Sequence, residues 1–220
     1  MKLVIIRHGE SVWNKENIFT GWVDVPLSEN GIKQAKKAKE LLKDYSFDLA
    51  YTSYLKRASD TLNIILEGLN VPIKKAWQLN ERFYGDLQGK NKKDVKKQYG
   101  EEQFMLWRRS YDVKPLKIDI NSEFYQGNDE KYKGINIPLT ESLKDTEARV
   151  LPYLQEEIFP KVKQGKKIII SAHGNSIRAM VKILENISGE EIAKVEIPLA
   201  IPLIYELDEN LKVLKKYYLE

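Results

Sequence analysis

Leu3-Val4-Ile5-Ile6 is an unbroken apolar run at the start of the chain, and Lys167-Ile168-Ile169-Ile170-Ser171-Ala172 repeats that character near its end. Apolar runs without polar alternation mark strands buried on both faces. The two are therefore predicted as neighbouring central strands. Between them the period changes. Ser28 is suited to accept the first free helical N–H, Glu29 follows in the first turn, and Ile32, Ala35, Ala38, Leu41 and Leu42 recur at helical spacing. Phe47 to Thr52 then predicts a short strand, and Leu55, Ala58, Leu62, Ile65 and Leu66 share one helical face after it. Strand, helix, strand, helix is the order of right-handed α/β crossovers.

Ile73 to Trp77 predicts an edge strand, and residues 91 to 111 carry a helical pattern with heavy charge. Residues 112 to 140 hold Pro115, Gly127, Gly134 and Pro138 without a clear period. A stretch of that length is expected to be a surface excursion with a functional or oligomeric role. Ser142 opens a long helix through Leu143, Val150, Leu154, Ile158 and Val162, with Pro152 and Pro160 as expected kinks or breaks and Gly165 as its end. A further helix is predicted from Ser176 to Asn186. Ile204 to Leu207 and Val213 to Tyr217, separated by Asp208-Glu209-Asn210, predict a closing hairpin. The whole, residues 1 to 220, reads as one domain with an excursion at about 91 to 140.

Hydrophobic residues at 42% and charged ones at 31% suit a soluble globular chain. The first apolar run meets Arg7-His8 too early for a signal-peptide core or a membrane span, so no membrane is expected. The absence of cysteine fits a reducing compartment, and the expected location is cytoplasmic. The net charge of +4 is small and scattered, and pairs such as Lys36-Lys37 and Lys96-Lys97 read as solvated faces. Nucleic acid is thus not an expected partner; a small anionic substrate suits the excess better.

Only two histidines occur, and both follow a buried-strand pattern: Arg7-His8-Gly9-Glu10-Ser11 and Ala172-His173-Gly174-Asn175-Ser176. Ligands of open α/β sheets bind beyond the carboxyl ends of the strands, where both imidazoles would be delivered. They could be buried rings satisfied by backbone carbonyls, with the glycines only making turns. Metal binding is a poorer alternative, because neither has a second ligand at metal spacing and no His-Glu-x-x-His helix exists. Nucleophilic chemistry explains more: an imidazole with a pKa near ~6.5 is largely neutral at physiological pH and can attack phosphorus. Arg7, Arg57 and His173 as an imidazolium are candidates to meet the charge on the transferring phosphoryl oxygens, without a metal. Glu81, in Leu79-Asn80-Glu81-Arg82-Phe83-Tyr84-Gly85, is the candidate acid and base.

These residues, with Val12-Trp13-Asn14, Phe19-Thr20-Gly21-Trp22, Thr52-Ser53, Leu55-Lys56-Arg57-Ala58 and Trp107-Arg108-Arg109, closely resemble the histidine phosphatase superfamily. Within it they resemble the phosphoglycerate mutases that depend on 2,3-bisphosphoglycerate, nearly end to end. The resemblance implies a three-layer α/β/α fold with a mostly parallel central sheet. It implies interconversion of 3-phosphoglycerate and 2-phosphoglycerate, with 2,3-bisphosphoglycerate as priming phosphoryl donor and no metal. It makes His8 the phosphorylated nucleophile, Arg7, Arg57 and His173 the phosphate pocket, and Glu81 the proton donor and acceptor. It assigns Ser11, Asn14, Thr20, Gly21, Gly174 and Asn175 to phosphate binding, and Tyr84, Lys92, Arg108 and Arg109 to the substrate's carboxylate and distal phosphate. A homodimer or homotetramer is implied as well.

The sequence departs from that pattern in places. It ends at Glu220, where longer members continue into a mobile basic tail over the site; Leu199-Ala200 stands where many carry Thr-Gly; Phe83 replaces a common histidine; and the segment between Leu66 and Trp77 is shortened. Water must be kept from a phosphohistidine, or the same machinery becomes a phosphatase. A phosphatase of small phosphate esters is thus the alternative expectation, and a non-catalytic phosphate-binding protein a third.

Overall fold

The computed structural model describes residues 1–220. In chain order its elements are β1 (Lys2–Arg7), α1 (Val12–Lys15), α2 (Glu29–Leu41), β2 (Leu49–Thr52), α3 (Lys56–Ile65), β3 (Ile73–Lys75), α4 (Lys92–Tyr99), α5 (Glu101–Arg109), α6 (Leu143–Tyr153), α7 (Phe159–Lys163), β4 (Ile168–Ala172), α8 (Gly174–Glu185), α9 (Gly189–Lys194), β5 (Leu203–Leu207) and β6 (Val213–Tyr218). The six strands form one sheet in the order β3-β2-β4-β1-β5-β6. The β3–β2, β2–β4 and β4–β1 ladders are parallel, and β5 and β6 add an antiparallel hairpin beyond β1.

The unbroken apolar runs have the consequence expected of them. Along β1, Leu3 and Ile5 face a core completed by Leu143, Val150, Leu154, Ile177 and Met180 from α6, α8 and the turn between α6 and α7. Val4 and Ile6 face the opposite core, completed by Ala38, Leu42, Leu62 and Ile65 from α2 and α3. Period-2 alternation in a strand with no polar side yields two apolar faces. The result is three layers, helix, sheet and helix. None of the helices is long and apolar enough to cross a membrane.

Several elements differ from their sequence expectation. The charged helical pattern after residue 91 is two helices, because Gly100 adopts φ +83° between α4 and α5. The long helix opened by Ser142 keeps Pro152 inside α6, widens into a π-turn over Leu154–Ile158, and resumes as α7 with Pro160 in its first turn. A proline ring removes a donor and clashes with the carbonyl four residues earlier, which a widened turn accommodates. The helix expected from Ser176 begins two residues earlier, at Gly174. The aperiodic 112–140 stretch is folded onto the body: Ile118, Tyr132 and Ile137 bury against Trp22 and Phe83.

Candidate active site

β1 and β4 are direct neighbours in register, with Arg7 opposite Ala172. The pairing runs one step further, since the His8 N–H donates to the Ala172 carbonyl at 3.0 Å. Two histidines 165 positions apart thereby leave the sheet side by side, their ring centroids 5.0 Å apart. Gly9 then lets α2 approach: a Cβ there would lie 2.5 Å from the Gly31 carbonyl oxygen.

His8 is buried, and its Nδ1 lies 2.6 Å from the Gly9 carbonyl oxygen. A carbonyl can only accept, so Nδ1 carries the proton and Nε2 keeps its lone pair. Burial, followed by the charges of Arg57 and Arg7, holds His8 well below the usual imidazole pKa. The ring is therefore a neutral nucleophile at neutral pH. His173 is buried behind it, Nε2 2.7 Å from Ser53 Oγ and Nδ1 without a partner. Burial and then Arg57 hold its pKa well below the usual value too. This corrects the expectation of an imidazolium: in the free protein His173 is neutral, and the positive charge around His8 comes from arginine.

Arg57 is fully buried on α3, and its Nη1 and Nη2 donate to the carbonyls of Val23 (3.0 Å) and Gly21 (2.7 Å). Burial brings its pKa down to about 10, so it stays charged at neutral pH. Gly21 has φ +55°, and a Cβ there would fall 2.0 Å from Gln88 Oε1, the acceptor of the Trp22 N–H. Arg7 donates through Nη1 to the Ile197 carbonyl at 2.8 Å and keeps a buried Nε unpaired. Thr20 Oγ1 is likewise buried without a partner. Unpaired buried polar atoms call for an explanation, and an anion in the adjoining space supplies one.

Glu81 lies in the turn after Leu79, almost buried. Its Oε1 accepts from the N–H groups of Arg82 (2.7 Å) and Asn175 (3.0 Å) and from Asn175 Nδ2 (2.9 Å), whereas Oε2 accepts no hydrogen bond from the protein. One oxygen is anchored and the other is available for a proton.

Two small cavities, of about 90 and 110 Å³, meet at Arg7, Glu81, Tyr84 and Arg108. The inner lobe adds His8, Asn14, Ile18, Phe19, Thr20, Gly21, Arg57 and Lys92. The outer lobe adds Arg109, Gly174, Asn175, Arg178, Val195, Glu196 and Ile197. Burial lowers the pKa of Lys92. For Tyr84, burial pushes the phenol up, but the Arg82 charge and hydrogen bonds from Arg82 and Asn175 bring it below its ordinary value on balance. Arg109 is ion-paired with Glu196 across the outer lobe.

Among the expected site residues, Ser11 and His173 are not on the cavity walls. Ser11 is buried and caps α1, its Oγ accepting from the Asn14 N–H at 3.1 Å, so it holds Asn14 in place. The structure adds residues that sequence reasoning missed. Arg178 reaches the outer lobe from α8, donating to the carbonyls of Ile192 (2.7 Å) and Arg109 (3.3 Å) and to Asn175 Oδ1 (3.1 Å). Arg82 donates to the carbonyls of Trp107 (2.7 Å) and Arg108 (3.2 Å), holding the end of α5 where Arg108 and Arg109 project. Gln88 and Ser53 complete the supporting set. Only Ser53 and Arg82 had a signal, as neighbours of recognised motifs.

A neutral, oriented imidazole flanked by the buried Arg57 and the partly buried Arg7, beside a carboxylate with one free oxygen, defines a phosphoryl-transfer site. Residues 3–220 match the histidine phosphatase superfamily (branch 1), and the chain belongs to that family. It is 54% identical to a 2,3-bisphosphoglycerate-dependent phosphoglycerate mutase of Borreliella burgdorferi, over 99% of this chain and 91% of that protein. It is 53% identical to the protein of the same name from Bifidobacterium longum, over 97% and 89%. Among solved structures, a mycobacterial glucosyl-3-phosphoglycerate phosphatase aligns with TM-score 0.78 and 22% identity over 99% of this chain and 96% of that one. The α-ribazole phosphatase of Shigella flexneri aligns with TM-score 0.72 and 23% identity over 98% and 95%. At such identities the two structures speak for the fold alone.

Proposed function

We propose that this chain interconverts 3-phosphoglycerate and 2-phosphoglycerate through a phosphohistidine at His8. The observation that carries this reading is the pair of lobes. A phosphatase needs cations only around the reacting phosphate, whereas a phosphoglycerate has a second anionic end, and Arg108, Arg109 and Arg178 wait for it in the outer lobe. The relatives from Borreliella burgdorferi and Bifidobacterium longum support the same choice by their names.

In the inner lobe, His8 Nε2 attacks phosphorus as the P–O ester bond breaks, and Glu81 Oε2 gives its proton to the departing oxygen. In return, a substrate hydroxyl attacks the phosphohistidine and leaves its proton on Glu81, so no co-reactant is consumed. Arg7 and Arg57 are fixed before the reaction begins, which is what makes their charge effective on the phosphoryl oxygens. When bound, 2,3-bisphosphoglycerate supplies the phosphoryl group that primes His8. The unpaired Arg7 Nε and Thr20 Oγ1 and the cations of both lobes fit such a doubly phosphorylated ligand.

The test is incubation with 3-phosphoglycerate, a trace of 2,3-bisphosphoglycerate and a chelator, following 2-phosphoglycerate and inorganic phosphate together. The mutase reading expects 2-phosphoglycerate to form much faster than phosphate; dominant phosphate release would make the chain a phosphatase instead. His8→Ala should abolish acid-labile, base-stable phosphorylation of the protein, and parental turnover by that variant would overturn the mechanism.

A further inference from the structure

We infer that Arg149, together with Glu141, is a positioning residue for the proton transfer performed by Glu81. Glu81 sits in a turn, and a carboxylate on a turn is useful in catalysis only if its backbone is held to a fraction of an ångström. Arg149 projects from α6, in the layer behind the site. Its Nη1 donates to the carbonyls of Gln78 (2.7 Å) and Asn80 (3.1 Å), its Nη2 to the Glu81 carbonyl (2.9 Å) and Glu141 Oε2 (2.9 Å), and its Nε to Glu141 Oε1 (2.7 Å). All five N–H bonds of the guanidinium thus have an acceptor. Glu141 Oε2 also accepts the Phe83 N–H at 2.8 Å.

One buried ion pair therefore grips the backbone before, at and after Glu81, and neither member lines the cavities. Apolar side chains could fill the same space, but they could not collect three carbonyls and an N–H. The pair sets where Glu81 Oε2 stands and acts on the reaction only through it.

This inference rests on the proposed roles of His8 and Glu81, and the experiment separates the two. Transfer from a phosphoglycerate to His8 Nε2 needs a proton from Glu81 on the departing alkoxide. Transfer from 2,4-dinitrophenyl phosphate does not, because that phenolate leaves unprotonated. Rates of His8 phosphorylation from both donors are compared in single turnovers for Glu81→Gln, Arg149→Lys and Glu141→Gln. Each variant is first checked for folding by near-UV circular dichroism. Lysine keeps the charge but cannot make the fork, and glutamine can accept at only one of its two ends. Arg149→Lys should lose roughly 10- to 100-fold with phosphoglycerate and less than about threefold with the aryl ester. Glu141→Gln should show the same split and decides the question if Arg149→Lys does not fold. A split in Glu81→Gln with equal losses, or none, in the folded pair variants overturns the positioning role. No split in Glu81→Gln overturns the assignment of Glu81 as acid, and the inference with it.

Discussion

Acidification should weaken this fold in a window that belongs to its two histidines alone. His8 and His173 are the only imidazoles in the chain, and both are held neutral by burial and by neighbouring arginines. The unfolded chain binds a proton at each near pH ~6.5, whereas the folded chain does not. Below that pH the unfolded state carries more protons, so stability falls as pH falls and is fully retained above it. For a ring that stays neutral in the fold, going from about pH 7.5 to about 5.5 removes about 1.4 kcal/mol, and the pair removes nearly ~3 kcal/mol. That is a large part of the ~5–15 kcal/mol by which a domain is stable. Carboxylates act lower. Burial opposes ionisation of Glu157, but hydrogen bonds from Lys161, Lys74 and Tyr51 bring its pKa down to about 2, so its contribution is lost only below about pH 4.5. The assay is urea unfolding across this range for the parent and for His8→Gln, which should halve the slope. A parental midpoint that stays constant from pH 7.5 to 5.5 would refute neutral burial of the two rings.

Three further outcomes can be checked. Gly21→Ala drives a Cβ into Gln88 Oε1 and leaves the buried Trp22 N–H unpaired, so the unfolding free energy from urea titration should fall by about 1–3 kcal/mol and His8 phosphorylation should slow as Arg57 loses its Gly21 anchor. Ala200 sits at φ +50° while its N–H donates to the Arg7 carbonyl at 3.0 Å; Ala200→Gly should be neutral or stabilising by up to ~1 kcal/mol, and Ala200→Val as stable as the parent would contradict this account. Glu196→Gln removes the carboxylate that pairs with Arg109 in the outer lobe, so KM for phosphoglycerate should fall roughly two- to fivefold at low salt and converge with the parent near ~1 M salt; an unchanged KM would count against substrate reaching this lobe.

What the sequence made legible was whatever depends on local pattern. Leu3 to Ile6 and Ile168 to Ala172 announced central strands, and a histidine directly after each put both rings at one sheet end. Ala35, Ala38 and Leu42 announced the buried face of α2. The charge state of His173 was not legible, because it follows from burial depth and from Arg57 arriving off another element. Arg149 and Arg178 carried no local signal, because partners of theirs lie on other segments, Gln78 71 positions from Arg149 and Arg109 69 positions from Arg178. The charged pattern over residues 91 to 111 did not show a break, yet the positive φ of Gly100 divides it into two helices. The Leu199-Ala200 departure does acquire a physical meaning: the second position is left-handed, where glycine fits without strain.

The strand order also bears on how the molecule comes off the ribosome. β4 lies between β1 and β2, so those two early strands have no ladder with each other and wait for residues 168–172. A nascent chain carrying His8, Arg57 and Glu81 already has most of the reactive groups, but it lacks the strand that brings them together. Until then its apolar strand edges are open to other chains, a hazard of late, non-local closure. Synthesis of residues 168–172 is therefore the step at which assembly and aggregation compete, and slowing translation before residue 168 should lengthen exposure to chaperones.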